Sequence, residues 1–206
     1  MNRKKRYDVR YLTQLSLLIA IEAVMKAIGL GSVPVGPLYM SFLTVPIAVG
    51  AIVLGPVAAM ILGAVFGFVS FLDAIKGASL LTSNLLAVSP VNTFILCFGM
   101  RVLMGLCVGL VYQGMARICS RKTVGYFVAS LSAPLLNTLF FMGYIVLAFY
   151  QSAYIQGLVA AKGAANPLMF VVLLVGFQGV VEAIVCSVAG TAVAGGVKRA
   201  LGKAAR

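Results

Sequence analysis

An all-α integral membrane protein, a bundle of six transmembrane helices with both termini in the cytoplasm, is the fold this sequence predicts. Three observations carry that prediction. Of 206 residues, 62% are hydrophobic and 10% charged, where a soluble domain carries about a quarter charged, and the mean hydropathy is +1.10. The apolar residues gather into runs approaching the roughly 20 residues that cross a bilayer as a helix. The basic residues sit at the ends of those runs, nearly all on one side. The chain is read as a single domain, 1–206, with spans at about 11–30, 40–54, 56–73, 92–116, 124–149 and 168–197.

The first span follows Arg3, Lys4, Lys5, Arg6 and Arg10. A basic stretch before an apolar run also describes a secretory signal. This run is long, however, contains Glu22 and Lys26, and lacks a small-residue cleavage site leading into a soluble domain, so it is read as a retained helix. Gly29, Gly31, Pro34, Gly36 and Pro37 break the first connection, and Gly55-Pro56 makes a very short turn between the second and third spans. The connection 73–91 is long and mixed, with Lys76, Ser79, Thr82, Ser83, Asn84 and Ser89-Pro90, and 151–167 is polar and rich in Gly and Ala. Pro46 and Pro134 fall inside spans and predict a kink or a late start.

Arg117, Arg121 and Lys122 form a second basic group, and Lys198, Arg199, Lys203 and Arg206 a third; with the N-terminal group these hold twelve of the 16 basic residues. Six spans place all twelve on one face and leave only Lys76 and Lys162 in outer loops, so the positive-inside rule puts both termini in the cytoplasm. The same placement turns the net charge of +12 into a topology signal. A nucleic-acid surface would interleave its charges with stacking aromatics, which these clusters lack.

Small residues recur at intervals of four. Gly55, Ala59, Gly63 and Gly67 share one face of the third span, and Arg101, Gly105 and Gly109 one face of the fourth. Such faces let backbones approach closely in lipid, and internal bundle packing is the preferred reading of both. Catalysis is poorly provided for. There is no histidine, and the only acids are Asp8, Glu22, Asp73 and Glu182. Cys97, Cys107, Cys119 and Cys186 have no CxxC spacing and read as buried thiols rather than metal ligands. No metal, cofactor or enzymatic activity is expected.

Charges inside the hydrocarbon are costly and mark function by default. Lys26 lies one turn after Glu22, and pairing with it is the preferred account. Arg101 stands about 13 Å inside the fourth span with no acid three or four positions away. Either it meets Glu22 or Glu182 across the bundle, or it awaits an anionic ligand. Asn137 lies midway along the fifth span and Gln178 about 16 Å into the sixth, with Phe140, Phe141, Tyr144 and Phe177 close in sequence. One cation and two amides on three helices at one depth describe an outward-opening pocket for a small carboxylate carrying hydroxyl or amide groups. Interhelical hydrogen bonding is the plainer reading of the amides. A cationic ligand such as thiamine would call for carboxylates and aromatic faces.

These residues resemble the substrate-binding S components of energy-coupling-factor (ECF) vitamin transporters. Leu12-Thr13-Gln14-Leu15-Ser16-Leu17-Leu18-Ile19-Ala20 is similar to that family's first helix, whose small-residue motif docks on the coupling subunit; its positions here are Ser16 and Ala20. Phe42-Leu43-Thr44-Val45-Pro46-Ile47 leading to Val53-Leu54-Gly55-Pro56-Val57-Ala58 resembles the junction of helices two and three. Ser89-Pro90-Val91-Asn92-Thr93-Phe94, followed by Arg101, Asn137 and Gln178, resembles the ligand-contacting set of pantothenate-specific members. The resemblance implies that Arg101 pairs with the vitamin's carboxylate and that Asn137 and Gln178 hold its amide and hydroxyls, with Asn92 and Phe141 in the same site. It further implies a bacterial plasma-membrane protein that binds vitamin outside. The protein would then topple in the membrane, driven by a transmembrane coupling T subunit and two ATPases. The chain has no GxxxxGK[ST] of its own. Segments 31–39 and 73–91 are expected lids. An S component for another carboxylate vitamin, an autonomous small transporter, a membrane enzyme and a structural protein remain as alternatives. The second and third are weakened by the lack of inverted repeats and of a nucleophile or metal set.

Overall fold

The computed structural model describes residues 9–31, 33–35 and 38–203. Arg3 to Arg6, Asp8 and Arg206 lie outside them. The elements are α1 (Val9–Ala27), a hairpin of β1 (Val33–Val35) and β2 (Leu38–Met40), α2 (Thr44–Val53), α3 (Pro56–Ile75) and α4 (Leu80–Val88). After these come α5 (Pro90–Phe94), a π-helical turn (Ile95–Gly99), α6 (Met100–Ile118), α7 (Lys122–Phe149), α8 (Ala153–Lys162) and α9 (Pro167–Lys203). The α5 segment, the π turn and α6 form one continuous helix, Pro90–Ile118.

Among the described residues, four helices are long and apolar enough to cross a membrane: Pro56–Ile75, Pro90–Ile118, Lys122–Phe149 and Pro167–Leu201. The expected span 40–54 becomes a 10-residue helix, α2, about 15 Å long and half of a hydrocarbon core. Its start is delayed by the hairpin and by Pro46 in its first turn, and its end is set by Gly55-Pro56. Gly55 has φ 101, a conformation open to glycine at little cost. Pro56 follows at the first helical position, where its missing N–H is not needed. Nearly every side chain of α2 is buried, so α2 is a central element. In α1 the 19 residues include Arg10, Glu22 and Lys26. The connections 73–91 and 151–167, expected as loops, each fold a short helix, α4 and α8. Ser152 caps α8 by accepting a hydrogen bond from the Ile155 N–H at 3.4 Å.

The small-residue faces of α3 and α6 meet each other, as the internal-packing reading expects. A Cβ on Gly67 would stand 2.8 Å from the carbonyl oxygen of Cys97 and from Cα of Phe98. One on Gly63, Gly105 or Gly109 would overlap the backbone of Arg101, Ala59 or Pro56. Without side chains between them the two backbones pack directly, which is how helices associate where no hydrophobic drive separates them from lipid. This contact fixes the height of Arg101 against α3.

Three apolar cores form among the described residues; the smallest gathers Val49, Ile52, Tyr126, Ala129 and Ala194, and the two larger ones border the site. One joins α1, α2, α3, α6 and α7 through Leu15, Leu43, Ile47, Leu62, Phe66, Met104 and Ala133. The other joins α4, α7, α8 and α9 through Leu81, Leu85, Met142, Phe149, Ile155 and Phe170. Cys97 and Cys186 are buried, and Cys107 and Cys119 partly so.

Candidate functional site

Between the two larger cores lies a cavity of about 80 Å³. Leu43 and Phe66 of the first core and Leu81 and Met142 of the second line it, together with Arg101, Asn137, Phe141 and Gln178. These last four, expected from three different helices, are thus brought to one place. A fifth, Asn92, is not on the cavity wall; its side-chain oxygen accepts a hydrogen bond from the Tyr144 hydroxyl at 3.3 Å. Phe177, adjacent to Gln178 in sequence, is 82% exposed and faces away from the cavity.

Arg101 is buried. Its guanidinium folds back along its own helix, the direction helical side chains prefer, and donates from Nη1 to the carbonyls of Cys97 at 3.1 Å and Leu96 at 3.5 Å. Both carbonyls belong to the π turn Ile95–Gly99. There the Met100 N–H reaches the Ile95 carbonyl five residues back, a departure from the α ladder often found at functional sites. The rings of Phe66 and Phe141 stack on the cation, with centroids 4.4 and 4.9 Å from Cζ. Such contacts offset part of the cost of desolvating a cation. Nε has no partner.

Two acids of the wall were not among the residues expected to form the site. Glu182, one helical turn after Gln178 on α9, is 4% exposed and its Oε1 has no partner; Gln178 Oε1 has none either. The i, i+4 spacing of Gln178 and Glu182 was a readable signal for a shared face. Asp73, on the wall from α3, pairs with Lys26 of α1. This corrects the expected pairing of Lys26 with Glu22. The helix rotation that carries Lys26 toward α3 leaves Glu22 buried at 2%, with neither oxygen hydrogen-bonded. Among the described residues no ion pair joins Arg101 to Glu22 or Glu182.

A kink orients the α9 wall. Gly176 departs from helical geometry with φ 33 and ψ −125, a conformation costly for any residue with a side chain. It lies two positions before Gln178, so the helix drawn as one straight span changes direction where it meets the cavity. Over the same end lie the two expected lids. Ser41 donates to the Gly31 carbonyl at 3.1 Å, closing the base of the hairpin, and both residues line the cavity. Ser83 of α4 donates to the Ala74 carbonyl at 2.8 Å, fixing α4 to the end of α3, while Leu81 and Thr82 face the cavity. At the opposite end of the bundle, Arg121, Lys122 and Lys198 line one crevice.

Ser16 and Ala20 lie on the exposed face of α1. The neighbouring Leu12, Leu17, Ile21 and Val24 are exposed with them, at 50, 62, 40 and 58%. Leu15 and Glu22 occupy the buried face.

Compared with known families, residues 10–193 match the family described as ECF transporter, substrate-specific component. No curated protein matches the chain.

Proposed function

Because the chain belongs to the family of ECF transporter substrate-specific components, a family of transporter subunits and not of enzymes, we propose that this multi-pass membrane protein is the subunit that binds a carboxylate vitamin, pantothenate, for import. The observation that carries the reading is the convergence of Arg101, Asn137, Phe141 and Gln178 on one buried cavity, with Arg101 Nε and Gln178 Oε1 unpartnered. Buried polar groups without partners are rare. A guanidinium beside two amides supplies what a carboxylate with an amide and hydroxyls needs: a planar double donor for the acid and adaptable donors and acceptors for the rest.

The remaining parts of the proposal follow from the same frame. Helices α1 and α2 complete six membrane-inserted elements with α3, α5–α6, α7 and α9. The crevice of Arg121, Lys122 and Lys198 marks the cytoplasmic end, so the cavity opens outward and both termini are cytoplasmic. The exposed face of α1 carrying Ser16 and Ala20 docks on the transmembrane coupling subunit. Two ATPases power the cycle in a bacterial plasma membrane, and toppling of this subunit delivers the vitamin. The cavity is well below the roughly 300–1,000 Å³ of ordinary ligand sites. Vitamin entry therefore displaces the hairpin and α4, the two elements closing its mouth.

The test is binding of a labelled vitamin panel to the purified full-length protein, followed by uptake in cells containing the coupling and ATPase subunits. Pantothenate retained at submicromolar concentration supports the assignment. Tight binding of a different vitamin replaces pantothenate and leaves the transport role standing. A folded protein that binds no vitamin overturns the proposal.

A further inference from the structure

We infer that Glu182 is a second recognition group of the cavity, accepting a hydrogen bond from an O–H or N–H of the ligand while Arg101 holds its carboxylate. The tight ligand is then a carboxylate that also carries a donor, and a bare anion is rejected. The inference rests on the binding role proposed above and narrows its substrate class.

Three observations carry it. Glu182 is 4% exposed, lines the same cavity as Arg101, and leaves Oε1 without a partner. Arg101 attracts it across the cavity without closing an ion pair among the described residues, so Oε1 stays open. The other carboxylate of the wall, Asp73, is already paired with Lys26; Glu182 receives the Ser41 backbone N–H and keeps Oε1 open to a ligand. A buried acceptor that loses water without gaining a donor is penalised in full. That penalty falls on every ligand lacking a donor. Without a donor to offset it, such a ligand also brings a second carboxylate beside Glu182 in a cavity of about 80 Å³, where like charges repel strongly at low dielectric. The Gln178 side-chain oxygen, unpartnered one turn earlier on α9, biases the wall further toward donors on the ligand. Discrimination by unpaired buried polar groups is far stronger than discrimination by shape alone.

The experiment measures affinity of the full-length protein in detergent for three carboxylates. Pantothenate carries hydroxyls and an amide N–H, biotin carries ureido N–H groups, and nicotinate carries no O–H or N–H donor at neutral pH. Each is measured against wild type, Glu182→Met and Glu182→Gln. The tightest ligand is expected to be a donor-bearing one, with nicotinate at least a hundredfold weaker. Glu182→Met should weaken the tightest ligand about ten- to a hundredfold and tighten nicotinate, which no longer meets an unpaired acceptor or a like charge. The melting temperature of the ligand-free variant should stay within about 4 °C of wild type, because losing the Ser41 N–H contact and the attraction of Arg101 is offset by removing a buried acid. Glu182→Gln keeps the shape and one acceptor and should lie between. Unchanged affinity for the tightest ligand in both variants overturns the inference. So does an equal loss for all three ligands accompanied by a lower melting temperature, which would make Glu182 a structural counter-charge. Nicotinate as the tightest ligand overturns the inference and leaves the carboxylate-binding role intact, whereas no binding of any of the three to folded wild type overturns both.

Discussion

Replacing Arg101 with methionine separates its two roles, as a ligand group and as part of the fold. Arg101 is the only cation among the described residues lining the cavity. A carboxylate held by its fork gains two charge-assisted hydrogen bonds, each worth about 1.5–3 kcal/mol. Losing both raises Kd by about a hundred- to ten-thousandfold, at 1.4 kcal/mol per factor of ten. The fold loses much less. In the ligand-free protein the guanidinium holds two carbonyls, at 3.1 and 3.5 Å, and rests on two rings. Against those contacts stands the cost of keeping a cation in the interior with Nε unsatisfied, a cost methionine removes while filling similar space. The two terms oppose each other, so the melting temperature should stay within about 4 °C of wild type, equivalent to about 1 kcal/mol for a chain of this size. Calorimetric titration of pantothenate into the purified variant, beside a thermal melt, reads both numbers. Arg101→Lys, which keeps the charge but not the planar fork, should fall between. Wild-type affinity in Arg101→Met would refute the reasoning, and so would a loss of binding that comes only with a collapse of the melting temperature.

Packing and docking make further predictions. Gly105→Val drives a branched side chain into the backbone of Ala59 and should cost about 1–3 kcal/mol, seen as a lower melting temperature and lower yield of monodisperse protein. Lys26→Met and Asp73→Asn, alone and together, should show a coupling of about 0.2–1 kcal/mol in a thermal double-mutant cycle, since both side chains retain solvent access, at 26 and 20%; zero coupling would remove the pair from the account of how α1 is held on α3. Gly176→Ala should cost about 1 kcal/mol in stability and weaken vitamin binding more than that cost alone explains, because Gln178 and Glu182 lie just beyond the kink. Ala20→Trp, on the exposed face of α1, should leave vitamin binding intact and abolish co-purification with the coupling subunit.

What the sequence determined by itself was local or compositional. A chain this apolar has to bury its backbone polar groups in helices. Gly55-Pro56 and the prolines at 90 and 167 stop or start helices, because a missing N–H or Cβ acts locally, whereas Pro134, expected to kink its span or delay its start, sits inside the continuous α7. Four-residue spacing of small residues marks a close-packing face, and α3 and α6 use theirs against each other. An arginine with no acid within a turn has to be explained across the bundle, and Arg101, Asn137, Phe141 and Gln178 do share a cavity.

What only tertiary structure decided depends on the rotation of each helix about its axis and on which neighbour it meets. Lys26 had an acid one turn away and took Asp73, 47 residues distant, instead. Asn92 and Phe177 had the right chemistry and the right depth, but one is bonded to Tyr144 and the other faces outward. Glu182 belongs to the cavity for the converse reason: the kink at Gly176 turns its face inward. Neither that kink nor the π turn before Arg101 follows from residue type, since replacing one ladder of hydrogen bonds by another costs so little that packing against α3 and α7 selects between them. The shortness of α2 is likewise a property of the assembled bundle. A 10-residue helix with nearly all its side chains buried is stable only where the longer helices already surround it.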